Sequence, residues 1–227
     1  MIVGHGMLAK QFAKYNHDTK VVIFASGVSN SLETRESEYL RERDLLSETI
    51  RNNDGVLLVY FSTCSMYDPV TRNSEYVIHK IAMERLIQDN SKKYLILRVS
   101  QVVGYATNAT LINYLVNHIK SGQKFIIWKN STRNLIDVDD LYKIACYLID
   151  NGLELNKIIH IANSQSMSIL DIVNCIENTL GIQAHYDLLE NGAEYSQIPN
   201  DIAKYISPLN ISFHNDYCNN VINKYVK

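Results

Sequence analysis

Two unbroken apolar runs constrain what this chain can fold into more than any other feature of its sequence. They span residues 20–25 and 56–61, and apart from Lys20 their side chains are apolar without alternation. A strand with one wet face alternates apolar and polar residues, whereas a parallel strand covered on both faces is apolar throughout. The two runs therefore predict buried, parallel strands at the centre of an α/β sheet.

The segments around these runs complete a repeating order of strands and helices. A clipped strand at 1–3 breaks at a glycine turn and continues as a helix, and residues 33–52 and 76–88 favour two more helices. Residues 94–99 supply a further strand. This order predicts a doubly wound, mostly parallel sheet for residues 1–105.

Beyond residue 105 the pattern is looser, and we expect two kinds of element to be interleaved there. Residues 124–162 contain two strand-like runs and a helix that would complete the core. The rest of 106–227, with helices near 109–121 and 168–180, is expected to form a small C-terminal lobe that binds substrate. Residues 181–227 show no strong period, so the sequence predicts little about them.

Composition limits the classes of partner. A chain of 227 residues with 46% hydrophobic content can bury one core with an appendage. Its formal charge of −2 gives no field that would attract nucleic acid or an anionic membrane. Its 4 cysteines lie at no spacing for a metal site or a redox pair, and no run of about 18 apolar residues occurs. We therefore expect a cytoplasmic protein without a metal, a nucleic-acid partner or a membrane partner.

A glycine turn, Gly4-His5-Gly6, separates the first strand from the first helix, and Met7 begins that helix. Glycines at such a turn let the backbone approach a pyrophosphate closely, and the helix start points N–H groups at it. An ordinary strand-to-helix turn is the alternative interpretation. With a strand before it and a helix after it, the turn predicts a nucleotide-phosphate site.

Tyr76 and Lys80 are spaced four apart on a predicted helix and therefore lie on one face of it. A cation near a phenol favours the phenolate, so such a tyrosine can exchange a proton with a substrate hydroxyl or carbonyl. Thr63 ends a buried strand, where open α/β sheets place their ligands, and its hydroxyl could hydrogen-bond the same oxygen. Taken alone, the tyrosine–lysine pair is explained more simply as a solvated helix face, and the hydroxyl of Thr63 thirteen residues earlier is the context that favours a catalytic group.

Together these motifs resemble the short-chain dehydrogenase/reductase superfamily, in its extended epimerase/dehydratase branch that acts on sugar nucleotides. The glycine turn, the strand end at 62–67 and the tyrosine–lysine pair carry the likeness. It extends through an arginine strand with its glycine at 97–104 and an arginine with a valine–aspartate segment at 133–141. The likeness covers residues 1–180 and implies a Rossmann-like fold in a shortened form.

The resemblance implies a role for each candidate residue. Tyr76 is the acid/base, and Lys80 activates it and holds the nicotinamide ribose. Thr63, four residues before the tyrosine that ends its motif, polarises the substrate. Arg133 meets the diphosphate of a nucleotide sugar, a task suited to bidentate pairing, and Ser65 is assigned to substrate binding.

The resemblance also implies NAD or NADP as cofactor. The expected contacts are backbone or side-chain groups near the glycine turn, the second strand and the catalytic helix: Gly4, Gly6, Met7, Ala25, Ser26 and Lys80.

The pattern departs from the family where dinucleotide folds place an acidic residue, about 20 residues beyond the glycine turn. Residues 24–26 stand there and are Phe-Ala-Ser. In one explanation residues 21–25 form the second strand, and Ser26, Ser29 or Arg35 accommodates a 2′-phosphate, which favours NADP. In the other, which we prefer, the run is a later strand, and the strand–helix–strand that forms most of the adenosine pocket has been lost.

These observations lead to an expected NAD(P)-dependent reductase or epimerase of a nucleotide-activated sugar. The 4,6-dehydratases carry an Asp-Glu pair directly after the threonine, where this chain has Cys64 and Ser65, so dehydration is not expected. The alternative is a non-catalytic or regulatory protein with a truncated dinucleotide pocket. The resemblance also suggests a homodimer, paired through the Tyr76 helix and residues 33–52.

Overall fold

The computed structural model describes residues 1–105, 110–195 and 197–226. The predicted helix start at 109 lies outside these ranges. The strands, in chain order, are β1 (Ile2–Val3), β2 (Val21–Phe24), β3 (Leu57–Thr63), β4 (Tyr94–Val99), β5 (Gln101–Val103), β6 (Phe125–Trp128), β7 (Thr132–Arg133), β8 (Leu135–Asp137), β9 (Lys157–Ile161), β10 (Met167–Ser168) and β11 (Tyr186–Leu189).

Helices connect most of these strands. They are α1 (Met7–Gln11), α2 (Glu36–Asn52), α3 (Glu75–Asn90), α4 (Leu111–Ser121), α5 (Val138–Asp150), α6 (Ile169–Leu180), α7 (Ala203–Ile206) and α8 (Tyr217–Tyr225), with 3₁₀ turns at Ala13–Tyr15 and Ser65–Tyr67. Within the described ranges, no helix is long and apolar enough to cross a membrane.

The central sheet has five parallel strands in the order β1-β2-β3-β4-β9. Val59 in the middle strand pairs with Ile23 on one side and Leu95 on the other. All seven residues of β3 are buried, which is why its sequence is continuously apolar up to the hydroxyl-bearing strand end. The predicted parallel sheet is confirmed.

Helices cover both faces of this sheet. On one face Ile23, Val59 and Leu97 belong to a large apolar cluster that includes residues of α4, α5, α6 and α8. On the other face Phe24 and Tyr60 pack against α2 and α3. The doubly wound α/β fold predicted from the sequence is therefore confirmed.

The position of β1 decides between the two explanations for residues 21–25. In the usual dinucleotide-binding sheet, with strand order 3-2-1-4-5-6, the first strand has a neighbour on each side. Here β1 lies at the edge, and β2 lies between β1 and β3. The explanation that made residues 21–25 the second strand of that order, with Ser26, Ser29 or Arg35 near a 2′-phosphate, is thus wrong. β2 stands where the fourth strand of that order would stand, and the described chain has no counterpart of the second and third strands.

The hand of the first connection supports the same conclusion. Phe12, directly after α1, packs against Phe61 and Tyr142 on the α5 face, whereas α2 covers the opposite face. The steps from β1 to β2 and from β2 to β3 run in the same direction across the sheet, so these two connections have opposite hands. The connections through α2 and α3 have the same hand, because both helices lie on one face and both steps run in the same direction. Since about 98% of such crossovers are right-handed, the exception is the β1–α1–β2 connection. This arrangement results when the second and third strands are removed from a sheet with right-handed crossovers and the first helix stays on its face.

The C-terminal part of the chain adds smaller paired elements around the sheet. β6 pairs with β11 in parallel, β7 with β10 antiparallel, and β5 with β8 in parallel. Helix α8 buries Tyr217, Val221 and Ile222 against the main core. The function of this region as a substrate lobe stays a prediction.

Candidate functional site

The end of β3 places two of the candidate hydroxyl groups together. Thr63 is 5% exposed, and its Oγ1 accepts the backbone N–H of Ser65 at 3.0 Å while donating to Ser65 Oγ at 2.9 Å. This local turn, closed by a side-chain oxygen, is typical of threonine where a strand ends. Thr63 and Ser65 are therefore fixed relative to each other.

Helix α3 carries the tyrosine and the lysine one turn apart. It begins after Ser74, whose hydroxyl accepts the N–H of Val77 at 3.3 Å as an N-cap. Tyr76 is 8% exposed and belongs to an apolar cluster that includes Val28. The Lys80 ammonium lies 5.9 Å from the centre of the Tyr76 ring. The two side chains therefore share one face of the helix, as their spacing predicts.

Lys80 already has an anionic partner inside the fold. Its ammonium donates to Glu42 Oε1 at 3.0 Å and to the Tyr60 hydroxyl at 3.1 Å, with the Phe61 carbonyl at 3.5 Å. Lys80 is 2% exposed and Glu42 is fully buried. The predicted ribose-binding lysine is thus enclosed in an ion pair, and its role toward a cofactor stays a prediction.

Glu42 receives donors from several directions. Besides Lys80 it accepts the backbone N–H of Val28 at 2.6 Å, the Tyr60 hydroxyl at 2.6 Å and His79 Nε2 at 3.1 Å. Burial alone would raise the pKa of Glu42, but the Lys80 ammonium and these hydrogen bonds hold it well below its ordinary value of 4.5. The carboxylate therefore joins the loop after β2 to α2, β3 and α3.

The loop after β2 closes directly over this ion pair. A Cβ atom on Gly27 would lie 2.5 Å from Lys80 Nζ and 2.8 Å from Glu42 Oε1, so only glycine fits without displacing them. Glu42 was not predicted as a site residue, although its position on α2 indicated that it would be buried. Glu42 falls on the stripe formed by Tyr39, Leu46 and Ile50, where a charged residue must be buried with a partner.

The two glycines of the first turn have different surroundings. Gly4 has φ of +124°, and a Cβ there would lie 2.4 Å from the carbonyl oxygen of Ala25. Ala25 in turn donates its N–H to Val3 at 2.8 Å, so the turn is pressed against the end of β2. A Cβ on Gly6 would meet nothing within 4 Å. The first glycine is thus required by packing, whereas the second leaves open space of the kind a ligand phosphate needs.

A cavity of about 590 Å³ begins at this open glycine. Gly6 and Met7, two of the expected cofactor contacts, are among its lining residues. Ala25 contacts the glycine turn through its backbone, and Ser26 accepts hydrogen bonds from Arg41 at 3.1 Å and 3.3 Å. Of the expected contacts, Gly6 and Met7 line the cavity, whereas Lys80 is not among its described lining residues.

Tyr195 lies near both Arg133 and Ser65, and it was not predicted as a site residue. The Arg133 guanidinium donates to the Thr132 carbonyl at 2.7 Å, lies 3.5 Å from a carboxylate oxygen of buried Asp68, and sits 5.9 Å from the centre of the Tyr195 ring. Burial raises the pKa of Tyr195, against the opposing effects of Arg133 and of the nearby Ser65. The two predicted substrate-binding residues thus border one region, with Tyr195 between them.

A further hydrogen-bonded chain fixes the tyrosine at the end of the strand motif. Tyr67 Oη is 2.9 Å from His160 Nε2, and His160 Nδ1 is 2.7 Å from Asp201 Oδ2. The same carboxylate oxygen accepts the backbone N–H of His160 at 2.9 Å. This chain ties the C-terminal segment to β9, and no local sequence pattern indicates it because Asp201 lies in the segment without a period.

The structure thus gathers Thr63, Ser65, Tyr76 and Lys80 where β3 ends and α3 begins. Met66, next to Ser65, belongs to the same apolar cluster as Tyr76, so the end of β3 and the start of α3 meet. Neither the cavity at the glycine turn nor a second one between 164 and 213 has Thr63 or Lys80 among its described lining residues. No group of His, Cys, Asp or Glu within the described ranges could hold a metal ion.

A parallel sheet with a glycine turn after its first strand is the arrangement of a Rossmann-type α/β fold. Residues 7–162 match the NAD dependent epimerase/dehydratase family. Because the match covers more than half of the chain, the protein belongs to this family, and the resemblance stated from the sequence is confirmed.

Solved structures of similar fold come from several bacteria. UDP-glucuronic acid 4-epimerase from Bacillus cereus, in complex with UDP-glucuronic acid and NAD, is 17% identical with a TM-score of 0.72 and covers 94% of this chain and 76% of its own. WbmH from Bordetella bronchiseptica, in complex with NAD⁺, is 16% identical with a TM-score of 0.71, covering 97% and 78%. RMD from Pseudomonas aeruginosa, complexed with NADPH, is 13% identical with a TM-score of 0.68, covering 91% and 80%. No protein of curated function matches the chain.

Proposed function

We propose that this protein is an NAD(P)-dependent oxidoreductase or epimerase that acts on a nucleotide-activated sugar. The observation that carries the proposal is that the open glycine turn follows β1, that Thr63 ends β3 and that Tyr76 begins the next helix, all at the carboxyl edge of one parallel sheet. Ligands of open α/β sheets bind at this edge. Proteins of similar fold were solved with NAD⁺, NADPH or UDP-glucuronic acid, which supports this ligand class.

The residues fit one part of such a cofactor better than the other. The space at Gly6 suits a phosphate, because the backbone is approachable there. The outer side of β1, where a dinucleotide sheet holds the adenosine ribose, has no strand among the described residues. A bound nicotinamide cofactor supplies the hydride exchange that reduction or transient oxidation of a sugar carbon requires.

The chain's own residues handle the proton and the substrate. In the proposed reaction Tyr76 donates a proton to, or takes one from, the reacting oxygen, and Thr63 hydrogen-bonds that oxygen. Lys80 stabilises the charge that develops on Tyr76 through the 5.9 Å approach to its ring. Arg133 holds the diphosphate from the region bordered by Ser65.

Elimination of water is not part of this proposal. The position after Thr63 holds Cys64, which is 1% exposed and donates to the Arg98 carbonyl at 3.2 Å. Burial raises the pKa of the Cys64 thiol to about 12, which makes it a poor acid or base near neutrality. Reduction or epimerisation, which use Tyr76 alone as the proton carrier, are the supported alternatives.

Two experiments test the proposal. Thermal unfolding with NAD⁺, NADH, NADP⁺ and NADPH should show a raised midpoint with at least one of them, because a ligand of the native state stabilises it. With a panel of UDP-, GDP- and dTDP-sugars, Tyr76→Phe should abolish turnover and leave the fold intact. Tyr94→Phe, at the opposite end of the sheet, is the matched control and should retain activity. Full activity of Tyr76→Phe would remove Tyr76 from the mechanism.

The second candidate is a non-catalytic or regulatory member of the family. The enclosure of Lys80 favours it, because an ammonium paired with Glu42 at 3.0 Å and covered by Gly27 is not presented to a ribose. This candidate predicts no turnover with any nucleotide sugar and no change of affinity for a bound nucleotide in Lys80→Met. Turnover that depends on Tyr76 would exclude it.

A further inference from the structure

The cavity at the glycine turn has a wall that the family match does not include. The match ends at residue 162, yet Tyr225 and Val226, at the end of α8, line the same cavity as Gly6 and Lys10. Residues of α4 close a third side. The C-terminal helix therefore belongs to the ligand-binding region rather than to a separate appendage.

The charged groups at this cavity favour an anion. His5 and Lys10 both line it and are exposed. Neither side chain has a hydrogen-bond or ion-pair partner among the described residues. None of its described lining residues carries a carboxylate. An anionic group seated at Gly6 would thus meet two basic side chains and no opposing negative charge.

The other side of the cavity is aromatic and apolar. The rings of Tyr105 and Tyr225 meet edge to face with their centres 5.0 Å apart, and Val103 and Val226 are buried beside them. A planar ring packs favourably against such a surface. Phosphate at one end and a planar ring at the other is the pattern of a mononucleotide.

Ion pairs hold this aromatic wall in place. Lys224 donates to Asp137 at 2.7 Å and to Asp139 at 2.6 Å, and the Tyr225 hydroxyl donates to Asp137 at 2.7 Å. Gln11, on α1, donates to the same Asp139 at 2.8 Å. The first turn of α5 therefore fixes α1 and α8 relative to each other, so the cavity is formed before a ligand arrives.

The sheet offers nothing to the second half of a dinucleotide. β1 is the edge strand, and the strands that would flank an adenosine on its outer side are absent from the described chain. An adenosine joined to a phosphate at Gly6 would extend beyond that edge into solvent.

We propose that the cavity between the glycine turn and α8 is a mononucleotide site. It takes a phosphorylated ribose with a planar heterocycle, which is either the nicotinamide mononucleotide half of the cofactor or the nucleoside diphosphate of the substrate. The nicotinamide source rests on the proposed function, whereas the size, charge and C-terminal wall of the site do not depend on it.

Calorimetric titration of the full chain with reduced nicotinamide mononucleotide, NADH and UDP separates the outcomes. We expect NADH to bind no more than about tenfold more tightly than the mononucleotide, because its adenosine finds no pocket. Binding of UDP without either nicotinamide compound supports the site and identifies the substrate as its source, while removing the proposed cofactor. A preference for NADH above about tenfold overturns the inference and leaves the proposed function standing. Absence of binding by all three compounds at millimolar concentration also overturns the inference.

Two variants test the location of the ligand. Gly6→Ala adds a methyl group into open space at φ of −73°, so the unfolding midpoint should not change while affinity for the bound nucleotide falls at least about tenfold. Lys10→Ala should weaken binding, with the larger loss at low ionic strength. Lys93→Ala, an exposed lysine at the opposite end of the sheet, is the control and should bind like the wild type. Wild-type affinity in both Gly6→Ala and Lys10→Ala would place the ligand elsewhere.

Discussion

Two lysines near the carboxyl edge of the sheet have opposite surroundings. Lys80 is 2% exposed and has a buried carboxylate 3.0 Å from its ammonium, under a loop that tolerates only glycine. Lys10 is exposed beside a cavity and has no partner among the described residues. The first is part of the folded core, whereas the second is available to an external anion.

The difference separates a part of this edge that the fold closes from a part that is open to solvent. A buried ammonium must have its charge matched, and in this chain Glu42 matches it from within the fold. At the glycine turn no described carboxylate lines the cavity, so the charge of Lys10 is left for a ligand anion to match. Two lysines near one edge of the sheet can therefore differ in whether the fold or the solvent surrounds their charge.

The largest expected effect on stability comes from removing the buried counter-ion of Lys80. Glu42→Gln leaves the Lys80 ammonium buried without a counter-ion, so the free energy of unfolding should fall by about 3–5 kcal/mol. Denaturant titration followed by circular dichroism measures this change. The double variant Glu42→Gln/Lys80→Met removes both charges and should recover most of the loss.

The control for this prediction lies one turn earlier on the same helix. Glu38 pairs with Arg41 at 3.0 Å, but both side chains are substantially exposed, so Glu38→Gln should cost at most about 1 kcal/mol. Equal effects of Glu38→Gln and Glu42→Gln would mean that the buried pair is not special. A double variant no more stable than Glu42→Gln would mean that the unmatched charge is not the cause.

The two glycines of the first turn offer a smaller test of the open side. Gly4→Ala requires an unfavourable positive φ and a methyl group 2.4 Å from a backbone oxygen, so it should lower the free energy of unfolding by about 2–3 kcal/mol. Gly6→Ala has neither problem and should change that free energy by less than about 0.5 kcal/mol. Parallel thermal melts compare the two variants. Similar destabilisation by both would show that Gly6 is held by packing and is not left open for a ligand.

The sequence was sufficient to predict the sheet because burial on both faces leaves a direct mark. The runs that became β2 and β3 are apolar without alternation since every residue of these strands is covered. The loss of two strands was also predictable, because only one helix separates the run at 21–25 from the strand that ends at Thr63. Short-range spacing carries such information without any tertiary contact.

The enclosed ion pair was not predictable from local patterns. Glu42 and Lys80 lie 38 positions apart on different helices, and α2 is so rich in charge that one more glutamate is easily assigned to its surface. Helix α8 was missed for a related reason. It has only 9 residues, and its position depends on Lys224 meeting Asp137, a pair 87 positions apart.

Low pH should remove the stabilisation that the buried Glu42–Lys80 pair contributes to the free energy of unfolding. The enclosed lysine should then differ less from the exposed one. The pKa of Glu42 is held below its ordinary value of 4.5 chiefly by Lys80, against the opposing effect of burial, so the stabilisation is complete above that value and is lost as the pH falls. We expect the difference in unfolding free energy between the wild type and Glu42→Gln/Lys80→Met to move in favour of the variant between about pH 5 and pH 3. The change should not exceed about 1.4 kcal/mol per pH unit, since one proton is taken up. Urea titrations of both proteins at several pH values measure it, and a constant difference would show that Glu42 is not the group that titrates.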